Sequence, residues 1–360
     1  TGFTGRLVVE YLLAQYGVNH GLLWAIAGRD KSKLDALRSE LGEEAENLCL
    51  LTADSHDPES LRSLVGRTRV IITTVGPYAK YGSELVAACV ESGTHYCDLA
   101  GEVQWMRKMI DRHEVAAKKS GARIVHACGF DSIPSDIGVY FLQTESLRRF
   151  GQACNRVKMC VRAMKGGASG GTIASMMNAI DQARADREVA RILVHPYSLC
   201  PPDARSGPDR ADQKGPVLDK DFGVWTAPFV MAGVNTKVVR RSNALMQAKY
   251  GKDFSYQESM WTGAGASGYL KALQITAGLG ALLFAGSIAI LRKAMLKSFL
   301  PEPGEGPDKH ERENGYYNLI MRGTLDSDQG ITVRVRGDRD PGYGSTSKIL
   351  GECGVCLALD

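Results

Sequence analysis

The chain has 360 residues, a formal net charge of +4, 44% apolar and 23% charged side chains, and 40 glycines. That length can bury two cores, so two domains are expected; the charge is spread along the chain, without the basic stripe that nucleic acid requires. Nine cysteines, an odd number scattered through apparent core segments, fit a reducing, cytoplasmic setting better than a disulfide framework.

In chain order, the run from Gly5 to Tyr16 has helical periodicity and Gly17 is a natural stop. Leu22 to Ala27 is a continuous apolar run, as a parallel strand covered on both faces should be. Asp30 caps a predicted helix through Leu41, Leu48 to Ala53 reads as the next strand, and Asp57-Pro58 opens a short helix. Val70 to Val75 is a strand, Ser83 to Ser92 a helix ended by Gly93, and Thr94 to Leu99 a strand. A long amphipathic helix runs to Ser120 and Gly121, and Arg123 to Ala127 is another strand. Strand and helix alternating at this spacing predict an α/β, doubly wound parallel sheet.

After about Phe150 the rhythm changes to α+β. Residues 166–171 read as a flexible turn into a helix near Thr172, and the Pro-, Asp-, Arg- and Gly-rich stretch 201–216 reads as an exposed loop. Strands are expected at Lys237 to Arg241, Tyr316 to Arg322, and Ile331 to Arg336, the last by strict alternation. Cys353 and Cys356 form a lone C-x-x-C, read as two cysteines on one side of a buried helix rather than as a metal site.

Thr1-Gly2-Phe3-Thr4-Gly5 carries two glycines three apart at the start of a helix that leads into an apolar strand. This is the setting in which a glycine loop lets the backbone approach a pyrophosphate, with unpaired helix N–H groups facing the anion. The motif needs a strand immediately before residue 1, so a signal peptide is not expected there. The next strand ends in Ala27-Gly28-Arg29-Asp30. A dinucleotide site for NAD places a carboxylate at that strand end; Arg29 suits a 2′-phosphate, so NADP is favoured over NAD. Asp54 is read either as an adenine contact or as a turn residue. Val75, Gly76 and Pro77 open the loop 75–82 at the next strand end, where Tyr78 and Tyr81 offer hydroxyls beside a nicotinamide. Two more polar clusters, 98–102 and 128–136, end the following strands; there Glu102 and Ser135 are equally readable as helix-terminus residues.

The segments TGFTG (1–5), AGRDKSKL (27–34), VGPYAKYG (75–82), YCDLAGE (96–102) and ACGFDSIPSDIG (127–138) resemble, in order, the saccharopine dehydrogenase-like oxidoreductases, which include the mycobacterial trans-acting enoyl reductases. The likeness continues through SGGTIASM (169–176) and GDRDPGYGSTSKI (337–349), and so covers essentially the whole chain. It implies a Rossmann domain over 1–150, an inserted α+β substrate or oligomerisation domain over 151–340, and a C-terminal helix in 341–360 returning to the first domain. It also implies reduction with NADPH of a C=C or carbonyl bond in a lipid-like or polyketide-derived acyl substrate.

For enoyl reduction, a hydride reaches the β-carbon and a donor must meet the developing enolate. Tyr78 and Tyr81 are the first candidates for that donor and Asp131 the third. Two alternatives stay open. One is a saccharopine-type C–N reductase, whose substrate carboxylates Arg334, Arg336 and Arg339 could clamp unless they are a solvated face. The other is a non-catalytic, cofactor-bound protein at a lipid surface, suggested by the uncharged run 275–291 between Lys271 and Arg292-Lys293. That run can be an interfacial anchor peripheral to the plasma membrane, a buried helix, or a subunit interface in a homodimer, since Gly278, Gly280 and Gly286 permit close packing.

Overall fold

The computed structural model describes residues 1–18, 21–166, 170–288 and 306–360, and the chain divides into two compact units. The first is built from Thr1–Gly129 and Gly342–Asp360; the second contains the described parts of Phe130–Leu300 together with Lys309–Pro341.

The first unit is α/β, with only parallel strand pairs. Its helices are α1 (Phe3–Tyr16), α2 (Lys31–Glu40), α3 (Pro58–Val65), α4 (Tyr78–Tyr81), α5 (Ser83–Ser92) and α6 (Val103–Ser120). Strands β1 (Ala25–Gly28) and β2 (Cys49–Thr52) pair with each other, and β3 (Val70–Ile72), β4 (His95–Cys97) and β5 (Ile124–Val125) form a second set in the order β3-β4-β5. The predicted punctuation holds. Asp30 accepts from Lys33 N and Asp57 from Glu59 N at the starts of α2 and α3, and Gly93 and Gly121 adopt left-handed conformations after α5 and α6. Helix α1 buries Leu7, Val8, Val9, Leu12 and Leu13. The C-terminal helix, Thr346–Leu359, packs on α1, β3 and β4, so Leu350 and Val355 share a core with Val8, Leu12, Cys97 and Cys128. Cys353 is half-buried there and Cys356 exposed.

The second unit holds a six-stranded mixed sheet in the order β11-β10-β6-β9-β8-β7. These strands are β6 (Arg156–Lys165), β7 (Val217–Asp219), β8 (Val224–Pro228), β9 (Ser255–Gly263), β10 (Tyr316–Thr324) and β11 (Gly330–Gly337). Its helices include α7 (Ile133–Phe150), α8 (Gly170–Ala185), α9 (Arg187–Val194), α10 (Ala232–Leu245) and α11 (Gly265–Ser287). Of the turn expected at 166–171, residues 167–169 lie outside the described residues, as do 289–291 of the apolar run.

Two expectations fail here. Lys237 to Arg241 is not a strand but the middle of α10, whose buried residues Asn235, Thr236, Val239, Arg240 and Asn243 recur at helical spacing. The stretch 201–216 is not wholly exposed: Asp209 is buried and ion-paired with Arg240 at 2.6 Å, and it accepts from Tyr256 N. The loop's polar composition concealed one end of a buried pair whose other end lies on α10.

Candidate functional site

The carboxyl ends of β1 to β5 carry the first unit's chemistry-bearing side chains, the edge on which open α/β sheets bind ligands. At α1, Gly2 precedes the first turn, no acidic residue stands in that turn, and no side chain caps it. A Cβ on Gly2 would meet nothing within 4 Å, so the backbone is open to an incoming group, whereas a Cβ on Gly5 would stand 3.0 Å from Thr74 Oγ1. The first glycine leaves the N–H groups accessible and the second lets α1 approach the end of β3. Phe3 packs edge-on against Tyr343 with ring centroids 5.0 Å apart, which ties the loop to the segment before the C-terminal helix.

Beyond β1, Asp30 accepts from Ser32 Oγ at 2.6 Å and from Lys33 N at 3.2 Å, so its carboxylate serves α2. These bonds hold it below the usual carboxylate range. Arg29 is exposed and makes no hydrogen bond or ion pair among the described residues. A free guanidinium at the end of β1, with the neighbouring carboxylate turned to its own helix, suits a 2′-phosphorylated dinucleotide. Asp54 accepts from His56 N at 2.9 Å and its own N–H donates to Ser60 Oγ, which is the turn reading of that residue.

The loop after β3 is built from below. Val75 is 51% exposed, and the Gly76-Pro77 peptide is cis. Residues Tyr78 to Tyr81, expected as loop, form the short helix α4. The fully buried Glu102 accepts from Tyr78 N at 2.7 Å and Ala79 N at 3.2 Å. Glu102 does therefore serve a helix start, but that of α4 rather than its own. The two sequence segments 75–82 and 96–102 are thus one structural device. Gly82 completes it, because a Cβ there would stand 2.8 Å from Trp105 Cζ2 and 2.9 Å from Tyr78 O.

The two tyrosines separate. Tyr78 is buried; its hydroxyl donates to Thr73 O at 3.2 Å and accepts from Leu99 N at 3.1 Å, linking the ends of β3 and β4. Its pKa lies well above the ordinary value, chiefly through burial and then through Asp98. Tyr81 is half-buried, its ring meets His56 edge-on at 5.5 Å, and its hydroxyl has no partner among the described residues.

Sequence reasoning missed His126, which looked like the end of a strand. Asp98, wholly buried at the end of β4, contacts His126 Nδ1 at 2.7 Å through the oxygen that also accepts from Tyr96 at 2.9 Å. Its other oxygen accepts from Ala100 N at 2.9 Å and Ala127 N at 3.1 Å. Ala127 has φ 61°, a left-handed conformation disfavoured for a residue with a side chain, and the Asp98 bond holds it there. His126 lies edge-on to Trp105 at 4.9 Å, with Nε2 on the side of the ring away from Asp98. The one available signal was position: a titratable ring at a strand's carboxyl end, directly before ACGFDSIPSD.

Asp131 belongs to the second unit, is half-buried, and has its carboxyl raised to about 6 by desolvation. Ser135, read as a possible cap, lies inside α7 and receives a long contact from Asn235 Nδ2 at 3.5 Å. Arg334 and Arg336 are on the exposed face of β11, and Arg339 stands 3.9 Å from Glu313, so these arginines form a solvated face.

Residues 1–125 match the family model of the saccharopine dehydrogenase NADP binding domain. Over 369 aligned residues the chain is 42% identical to a Mycobacterium tuberculosis protein named among the trans-acting enoyl reductases, an alignment covering 100% of this chain and 87% of the relative. A trans-acting enoyl reductase of Mycobacterium ulcerans is 37% identical with the same coverage. Among solved structures, the apo saccharopine dehydrogenase (L-Glu forming) of Saccharomyces cerevisiae superposes with a TM-score of 0.48 at 10% identity, covering 98% of this chain and 89% of that one. The cofactor is NADP.

Proposed function

The chain belongs to the saccharopine dehydrogenase-like oxidoreductases, with the trans-acting enoyl reductases as its relatives, and from that premise we propose that it reduces the C=C bond of an α,β-unsaturated, lipid-like or polyketide-derived acyl chain with NADPH. Bound NADPH supplies the hydride, which goes to the β-carbon. The chain's own residues do the rest. Backbone N–H groups at the start of α1 bind the pyrophosphate and Arg29 the 2′-phosphate. The Val75-Gly76-Pro77 loop, fixed by Glu102, borders the reacting end. Tyr81 is the proposed proton donor to the α-carbon, because its hydroxyl has no partner among the described residues. Tyr78 acts as a positioning residue, its hydroxyl being occupied at both ends.

The observation that carries this reading is Arg29, exposed and unpartnered among the described residues at the end of β1, in a unit whose glycine loop is open at Gly2. The test is titration with NADPH and NADH, followed by NADPH oxidation with enoyl thioesters. Arg29→Ala should weaken NADPH about 10- to 100-fold, the equivalent of losing charge-assisted hydrogen bonds, and leave NADH unchanged. Oxidation of NADPH by a 2-oxo acid with an amine, and not by enoyl thioesters, would replace this reading with C–N reduction.

A further inference from the structure

Helix α11 is long and apolar enough to cross a membrane, yet only 11% of its most apolar 18-residue window is buried. Both its ends are fastened to the second unit. A Cβ on Gly268 would collide with Gly263 O, and one on Gly286 with Met177 Sδ. The side that faces the protein carries the small residues Gly268, Ala272 and Gly286. Tyr269, Leu270, Leu273, Leu283 and Phe284 point outward, each between 41% and 65% exposed. A helix held by the sheet near its start and by α8 near its end does not cross a bilayer alone; it can lie along the surface of one.

At the N-terminal half of α11 a cavity of about 560 Å³ is lined by Arg162, Trp261, Lys271, Gln274 and Ile275. The Arg162 guanidinium lies 5.6 Å over the Trp261 ring, and Trp225 meets Tyr269 edge-on at 4.8 Å. Arg162 and Lys271 are exposed, and neither has a carboxylate partner among the described residues. Among the described residues no acidic one lines the cavity, and the sequence 265–300 contains Lys271, Arg292, Lys293 and Lys297 but no aspartate or glutamate. Aromatic rings and cations gathered at one end of an exposed apolar helix match the chemistry of a membrane interface, where rings sit at headgroup depth and cations meet phosphates. A second copy packed through this same face would bring the same cations to meet them.

We propose that this cavity takes the phosphate-bearing headgroup of an anionic phospholipid, and that α11 beds its outward apolar residues in the adjoining membrane surface. This goes beyond the reductase reading and stands or falls separately from it.

The test is flotation of the full chain with vesicles of phosphatidylcholine alone or mixed with phosphatidylglycerol, with NADPH binding as the control for folding. The chain should float with the mixed vesicles and not with phosphatidylcholine alone, less so at high salt. Arg162→Gln with Lys271→Gln should weaken flotation about 30-fold, two cations near an anionic surface each counting for about fivefold. Leu283→Ser with Phe284→Ser should weaken it about tenfold or more by removing buried apolar area. Both double variants should keep NADPH affinity. Equal flotation with either vesicle would overturn the headgroup assignment. Absence of flotation, or a dimer that Phe284→Asp converts to monomer, would overturn the membrane surface in favour of a protein interface.

Discussion

Each unit buries a carboxyl group where several of its elements meet, Asp98 in the first and Glu258 in the second, and the two are satisfied differently. Asp98 accepts two backbone N–H bonds, from Ala100 and Ala127, besides its bonds to Tyr96 and His126. Its donors come from the strand ends themselves, so the bonds form as soon as β4 and β5 pair. Glu258 accepts only from neutral side chains, the Tyr256 hydroxyl at 2.9 Å and the Asn235 amide at 3.0 Å, together with Ser135. Those three come from a neighbouring strand position, α10 and α7. Burial raises Glu258 to about 7 despite them. A buried carboxyl group held by neutral side chains is driven towards its proton.

Removing the first centre should have the larger effect. Asp98→Ala leaves Tyr96 OH, Ala100 N and Ala127 N without an acceptor and frees the Ala127 backbone to relax, so destabilisation of about 4 kcal/mol or more is expected. Urea unfolding would measure it, and NADPH binding should be lost together with stability because the site stands on these strand ends. A cost below about 1 kcal/mol would erase the contrast between the two centres.

Glu258→Gln should have the opposite sign. The folded pKa of about 7 lies above the ordinary 4.5, so the neutral form's contribution is whole below pH 4.5 and is lost as pH rises through 7. Above pH 7 the ionised carboxylate costs about 3 kcal/mol, at about 1.36 kcal/mol per pH unit. Glutamine carries no charge, so the variant should unfold at a higher temperature than the parent at pH 8, and the difference should vanish near pH 5. A variant less stable than the parent at pH 8 would show that Glu258 is held charged.

The same contrast explains what the sequence discloses. In the first unit the signals that mark the elements are local. Asp30 and Asp57 cap the helices they precede, glycines end α5 and α6, and apolar runs mark the strands, so the elements were readable in order. Around Glu258 the contacts are remote. Strand β6 pairs with β9 about a hundred residues later, an association that no local period records. Helix α10 buries Asn235, Thr236, Arg240 and Asn243, so its inward face is polar and hydropathy pointed instead to the short run containing Val238 and Val239. Asp209 looked solvated because its partner Arg240 lies on that misread helix. Even in the first unit, Glu102 was seen but its target was not, since a bond from residue 102 to the N–H groups of 78 and 79 has no signature in spacing.

The smallest expected effect on stability concerns the two tyrosines of α4, and it divides support from chemistry within one turn of helix. Tyr78→Phe removes a buried hydroxyl that Thr73 O and Leu99 N both use, for an expected cost of about 1–2 kcal/mol. Its turnover should fall only as far as the loop shifts. Tyr81→Phe removes a hydroxyl with no partner among the described residues, so stability should stay within about 0.5 kcal/mol of the parent. If Tyr81 delivers the proton, NADPH oxidation by an enoyl thioester should nevertheless fall about 100-fold or more, with NADPH affinity unchanged. Parallel measurement of unfolding and of kcat reads both variants against each other. Normal turnover in Tyr81→Phe would remove Tyr81 as the proton donor.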